Sequence, residues 1–271
     1  MEYDSEKLES MRANEFVMND FVEDERGLVA WQMFSIDKKK SDEEDKLTTY
    51  FTEELIATLF KYGRNLAETT AKGVVKEAVI TVPSYFTQEQ RLMLIDAAEL
   101  AGLNVNQLVH ENTAAATMYA VDNRGTASEK KDDQVILFYN MGGRDTEVSV
   151  ARFSQITNAK NKTFESIEVL GEGWDMTLGG QAFDHVIVQI LIEEFNALKE
   201  RQGKPDVRTN DRAMKRLYKE VGKIKEVLSA NKIVDVKIPE LLDYVTLQFK
   251  LERTRFEEAA ASLFDRVEAP I

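Results

Sequence analysis

The stretch from Ala78 to His110 constrains the fold more than any other part of this sequence. Ala78 to Val82 is a short, β-branched apolar run that stops at Pro83. A run of that length, bounded by a turn residue, reads as a strand buried on both faces of a mixed sheet. Thr87 and Gln90 then have the spacing at which two side chains cap each other's backbone N–H groups at the start of a helix. Gly102 stands where that helix would end, at the position that favours a left-handed residue. Gln107 to His110 supplies the next strand. Strand, capped helix and strand make a βαβ rhythm, so the chain is expected to be an α/β protein.

The rest of the sequence fits that class. Thr52 can cap a helix whose apolar face runs Leu55, Ile56, Leu59, Phe60 and Leu66, with Phe51 stapled against Ile56. A helix over Thr113 to Val121 precedes a polar stretch at 122–133. The strand Val135 to Tyr139, a turn at Gly142 and Gly143, and a returning strand in which Val148 and Val150 alternate with polar residues come next. Ile167 and Val169 suggest a third strand after a polar loop at 154–163. From Gly180 the period becomes helical: Phe183, Ile187, Ile190, Leu191 and Leu198 share one face, and Met214, Leu217, Val221, Ile224 and Leu228 share another. Val234 to Ile238 and the alternating Val245, Leu247, Phe249 and Leu251 form a strand pair. A last helix would bury Phe256, Leu263 and Phe264. The charged run 37–46 reads as a solvated loop.

Composition narrows the function. With 271 residues and 43% hydrophobic content there is material for a large core, and no apolar run approaches the ~20 residues of a membrane-spanning helix. A net charge of -13 argues against nucleic acid as a partner, because such affinity is built from cations that neutralise phosphates. The sequence has no cysteine, which removes disulfides, thiolate ligands and a cysteine nucleophile. Its first twenty residues are acidic and lack the apolar core of a secretory signal. His110 and His185 have no second histidine or spaced carboxylate pair, so no metal site is expected. Asn161, Lys162 and Thr163 form a glycosylation sequon in a polar loop.

Chemistry points to two glycine pairs and a carboxylate. Glycines at 142 and 143, between two strands, let backbone N–H groups approach a phosphate closely. Gly179 and Gly180 precede a long helix, whose first N–H groups could face an anion. Glu111 ends a strand of the βαβ region, where α/β sheets place ligands and where a carboxylate could hold a magnesium-bound water.

The stretches Ala78 to Arg91 (AVITVPSYFTQEQR), Ala101 to Asn104 (AGLN), Glu111 to Ala115 (ENTAA) and Leu178 to Asp184 (LGGQAFD) resemble the seventy-kilodalton heat-shock family in order and spacing. Asn112 before Thr113, Lys225 to Asn231 (KEVLSAN) and Arg255 to Val267 (RFEEAAASLFDRV) resemble its large endoplasmic-reticulum branch. The resemblance implies an actin-like ATPase fold of two lobes around a nucleotide cleft, incomplete at both ends in this chain. Residues 1–51 would belong to the outer part of lobe one and 52–129 to its inner part. Residues 130–178 would form the inner part of lobe two, 179–256 its outer part, and 257–271 the return to the inner part.

The resemblance also implies ATP or ADP with magnesium. Glu111 would lie near the magnesium shell, Asn140, Gly142, Gly143 and Arg144 in the second phosphate loop, and Gly179 and Gly180 beside the phosphates. Lys225 and Ser229 would line the adenosine pocket. In the second loop three positions depart from the family: Asn140 replaces its aspartate, and Arg144 and Asp145 replace a glycine and a threonine; in the adenosine region Gly222 and Glu226 stand in place of a glutamate and an arginine. If position 144 needs a positive φ, arginine would cost roughly 1–2 kcal/mol there. The family's first phosphate loop is not found in the sequence. Two functions are therefore expected: part of an ATP-binding chaperone of the endoplasmic reticulum with unfolded clients and an ordinary heat-shock chaperone as partners, or a non-catalytic module that promotes nucleotide exchange on such a chaperone.

Overall fold

The computed structural model describes residues 20–34, 47–123 and 133–271. The expectations for the N-terminal stretch, the charged run and most of the polar stretch at 122–133 lie outside the described residues. The chain forms two compact units, Met1–Ile136 with Ala151–Val169, and Leu137–Val150 with Leu170–Ile271.

In the first unit, strands β1 (Asp20–Glu23), β2 (Val29–Phe34) and β3 (Leu47–Phe51) form an antiparallel sheet in that order. Helix α1 (Thr52–Ala71) follows directly. Its cap lies one residue earlier than the sequence suggests. Phe51 is the N-cap, and Glu54 Oε2 accepts from the Phe51 N–H at 2.8 Å. Thr52 instead accepts a hydrogen bond from Trp31 Nε1 at 3.1 Å and donates to the Val29 carbonyl. Phe51, expected as a buried staple, is 43% exposed beneath the Arg26 guanidinium. Only part of the expected apolar face is covered: Ile56 and Phe60 pack on Ala57, Ala97 and Ala101, whereas Leu59 is 70% and Leu66 52% exposed.

The βαβ unit forms as read. Strands β4 (Glu77–Val82) and β5 (Asn104–His110) pair in parallel, connected by α2 (Gln88–Leu100). Thr87 Oγ1 accepts from the Gln90 N–H and Gln90 Oε1 accepts from the Thr87 N–H, closing the capping box. Gly102 has φ +75°, and its N–H bonds the Glu99 carbonyl at 2.8 Å. A Cβ there would lie 2.4 Å from Arg64 Nη1, which donates to the Ala101 carbonyl. The expectation of a strand buried on both faces fails for β4. Burial alternates along it and Val79 is 61% exposed, because β4 is paired only with β5 among the described residues. Helix α3 (Glu111–Asp122) begins where β5 ends.

Strands β6 (Gln134–Met141), β7 (Thr146–Thr157) and β8 (Thr163–Asp175) form one sheet in that order, with strand ends in both units. The start of β7 does not alternate as expected: Thr146, Glu147, Val148 and Ser149 are all buried. Asn161 lies in the β7–β8 turn with φ +56°, where the Asn158 side chain accepts from the Lys160 and Lys162 N–H groups.

The second unit holds the larger core. Helices α4 (Gly180–Ala197) and α5 (Asp211–Ala230) pack together over the antiparallel pair β9 (Ile233–Leu242) and β10 (Val245–Glu252), α5 against β9 and α4 against β10. Ile187, Leu191 and Phe195 of α4 are buried, as are Met214, Leu217, Val221, Ile224 and Leu228 of α5, all five on the face that the periodicity marks. Burying each large aliphatic side chain contributes about 1.5–3 kcal/mol. The expected last helix is two short ones, α6 (Arg253–Ala259) and α7 (Ala261–Phe264), broken at buried Ala260. Phe264 is half-exposed although its ring lies 5.2 Å from that of Phe183.

Candidate functional site

In the second unit the two glycine pairs come together. The β6–β7 turn closes with the Gly142 N–H donating to the Asp145 carbonyl at 2.8 Å. The start of α4 docks on this turn through two backbone bonds, from the Gly180 N–H to the Gly142 carbonyl (3.0 Å) and from the Gln181 N–H to the Gly143 carbonyl (2.7 Å). Glycine is required at 179 by close approach. A Cβ there would lie 2.5 Å from the Arg144 carbonyl carbon and 2.7 Å from the Asp145 nitrogen. At Gly143 nothing lies within 4 Å of a Cβ, so the tip of the turn faces open space. Thr146 Oγ1 donates to the Leu178 carbonyl at 2.6 Å and ties the two segments together from below.

This geometry corrects two expectations. The first N–H groups of α4 are not open to an anion, because the turn's own carbonyls take those of Gly180 and Gln181. Arg144 does not adopt a positive φ, so the expected backbone strain does not arise.

The cation of the site comes from α5. Lys225 Nζ donates to the Gly180 carbonyl at 3.0 Å and pairs with Asp184 Oδ1 at 2.6 Å. Asp184 belongs to the LGGQAFD stretch but drew no role from the sequence. Its position one helical turn after Gly180, on the same face, was the available signal. Next to this pair, burial and the Asp184 charge push the Tyr218 phenol up to about 12. The Tyr218 hydroxyl lies 3.3 Å from His185 Nδ1, and the Gln189 amide 3.0 Å from His185 Nε2. Burial and the Arg208 charge hold the His185 imidazole below its ordinary range.

The remaining sequence candidates are more dispersed. Asn140 is exposed in the last part of β6, before the turn. Ser229 lies one turn beyond Lys225 on α5, and its hydroxyl donates to the Glu226 carbonyl of its own helix at 2.6 Å. Glu111 belongs to the first unit, as the first residue of α3. His110 Nε2 lies 3.2 Å from Arg91 Nη2. Among the described residues no group of three or more His, Cys, Asp or Glu side chains is arranged to hold a metal ion, and no helix is long and apolar enough to cross a membrane.

Comparison with known proteins places this geometry in context. The family model for Hsp70 protein matches residues 15–271. Hypoxia up-regulated protein 1 of Xenopus laevis is 38% identical over 223 residues, covering 82% of this chain and 34% of that protein. The protein of the same name from Rattus norvegicus is 38% identical over 219 residues, and that from Homo sapiens 37% over 219; each alignment covers 81% of this chain and 22% of the relative. The chain thus spans between about a fifth and about a third of the length of these relatives. The match along nearly the whole chain, the βαβ unit and the paired glycine segments agree: the chain belongs to the Hsp70 family and has its actin-like ATPase fold.

Proposed function

We propose that this chain is part of the nucleotide-binding domain of an ATP-dependent chaperone of the endoplasmic reticulum, with the Gly142–Gly143 turn and the α4 start at the phosphates of ATP or ADP. The observation that carries the reading is the glycine clasp. The turn and the helix start approach so closely that position 179 has no room for a Cβ, while the tip at Gly143 stays open and Lys225 brings a positive charge to the same backbone. These residues fit a polyphosphate group in shape and charge. Gly142, Gly143, Arg144, Gly179 and Gly180 would lie along it, with Asn140 before the turn and Lys225 and Ser229 on α5. Magnesium would supply charge stabilisation during transfer of a phosphoryl group to water. Glu111 is proposed, by family resemblance, to hold water of the magnesium shell.

The outer and inner lobe parts set out from the sequence, the unfolded clients, the partner heat-shock chaperone and the lumenal location belong to this proposal for the longer protein. In that compartment the exposed turn at Asn161 is open to glycosylation. A second reading, a non-catalytic exchange module, draws support from Asn140 and from the α4 N–H groups being taken by carbonyls.

Thermal unfolding with and without Mg-ADP or Mg-ATP separates the two, since a ligand of the folded state raises the midpoint in a saturable way. Nucleotide binding predicts a rise that Gly143→Val abolishes, and the unliganded midpoint should hold because the new side chain enters open space. A cooperative transition indifferent to nucleotide supports the exchange module.

A further inference from the structure

The first unit holds a cleft of about 540 Å³ that the nucleotide-binding reading does not use. It opens between the start of α1 and the last turns of α2. Four carboxylates line it, Glu53 and Glu54 from α1 and Asp96 and Glu99 from α2, against a single guanidinium, Arg26 of the β1–β2 turn. Two exposed apolar side chains, Phe51 and Leu100, belong to the same wall.

The two acidic pairs differ in their local setting. Glu53 and Glu54 sit in the first turn of α1, where the helix dipole favours negative charge, and Glu54 is spent on capping the Phe51 N–H. Asp96 and Glu99 stand near the C-terminal end of α2, where the dipole opposes negative charge, and their spacing of three residues puts like charges on one face. No basic residue occupies the last turn of α2, and neither acid has an ion-pair partner among the described residues. The α2 side of the cleft therefore lacks a cation.

A second observation comes from α1. The Glu53 side chain is 9% exposed; its Oε1 accepts from Arg26 Nη1 at 2.9 Å, and its buried Oε2 has no hydrogen-bond partner. A buried carboxylate oxygen without a donor is unfavourable, so Glu53 has acceptor capacity that Arg26 does not fill. Arg26 also shows how a guanidinium seats here, with its Cζ 4.9 Å from the centroid of the Phe51 ring. Arg26 is itself 49% exposed and is anchored separately to Asp24 through Nε and Nη2, so it can release Glu53 without leaving its turn.

We propose that this cleft is a docking site for a basic segment of a partner protein, in which an arginine side chain enters between α1 and α2, exchanges with Arg26 on Glu53 and is held by Asp96 and Glu99. Arginine suits the site better than lysine, because a planar guanidinium pairs with a carboxylate and lies on an aromatic face at once. An apolar neighbour in the segment would cover Leu100. A metal ion does not fit, since among the described residues no group of three or more acidic or histidine side chains is arranged to hold one. The inference does not depend on nucleotide binding.

The test is fluorescence anisotropy of the full chain with a labelled peptide, Gly-Leu-Arg-Arg-Leu-Gly, at low salt. Binding should be saturable and lost when both arginines are replaced by citrulline, their uncharged isostere. Asp96→Asn combined with Glu99→Gln should weaken it about tenfold, the scale of one charge-assisted hydrogen bond. The melting temperature of that variant should hold or rise, because neutral amides relieve the end of α2. Glu53→Gln should weaken binding as much, and Arg26→Gln should tighten it by removing the internal competitor. Asp122→Asn, which removes a charge from α3 outside the cleft, should change it less than about twofold. No saturable binding by the wild type, equal binding of the citrulline peptide, or a loss for Asp122→Asn equal to that of the α2 variant would overturn the proposal. Spermine that displaces the peptide at equal concentration would also overturn it, by making the cleft a site for any polycation. If Glu53→Gln melts below the assay temperature, the exposed α2 pair still decides the outcome.

Discussion

Helices α1 and α5 are each twenty residues long, one in each unit, yet they bury very different surfaces. On α5 an unbroken stripe from Ala213 to Leu228 is buried between α4 and β9. On α1 only Glu53 and Ala57 are buried, while Leu59, Tyr62 and Leu66 are exposed. The sequences of both helices carry apolar residues at helical spacing. A periodic face shows that a helix has something to bury, and the surrounding elements determine how much of it is covered. Around α1 the available partner is the small alanine surface of α2, which accommodates Ile56 and Phe60 and no more.

The largest effects should come from breaking this contrast directly. Leu217→Ala removes a fully buried side chain from α5 and should cost about 2–5 kcal/mol. Leu59→Ala on α1 should stay within about 0.5 kcal/mol. Urea unfolding followed by circular dichroism measures both, and equal losses would mean that α1 is covered in solution. A smaller effect is expected at the clasp. Gly179→Ala forces its Cβ against the backbone of residues 144 and 145 and should destabilise the second unit by about 1–3 kcal/mol, read as faster amide exchange at Gly180 and Gln181. Amides of α1 should keep their rates, which would localise the change.

The smallest effect is electrostatic. His185 titrates below its ordinary range in the folded chain, so near and below pH 6.5 the unfolded chain binds more protons. Stability from this group is present above that pH and declines as pH falls through 6.5 toward the lowered folded value. The second unit's melting temperature should therefore drop on acidification, and His185→Gln should flatten the dependence. A His185→Gln profile that matches the wild type would assign the acid sensitivity to other groups.

Sequence reading succeeded where the cause is local. The capping box at Thr87 and Gln90 and the left-handed Gly102 depend on residues within a turn of one another, and both form as read. It failed where the answer depends on distant partners. The cap at Thr52 moved to Phe51 because Trp31 and Val29 engage the threonine hydroxyl, and β4 lost the burial expected of its composition because β5 is its one described neighbour.

The candidate site divides in the same way. The glycine pairs and the family to which they point could be read from the residues alone, since few residue types tolerate a tight turn or a close backbone approach. Only the tertiary structure decided what those glycines do. It spent the helix N–H groups on the turn's carbonyls, brought Lys225 from another helix to the clasp and set Asp184 against it. Backbone conformation is governed by neighbours in the chain. The pairing of charges and the covering of apolar faces are governed by neighbours in space, and those exist only once the chain has folded.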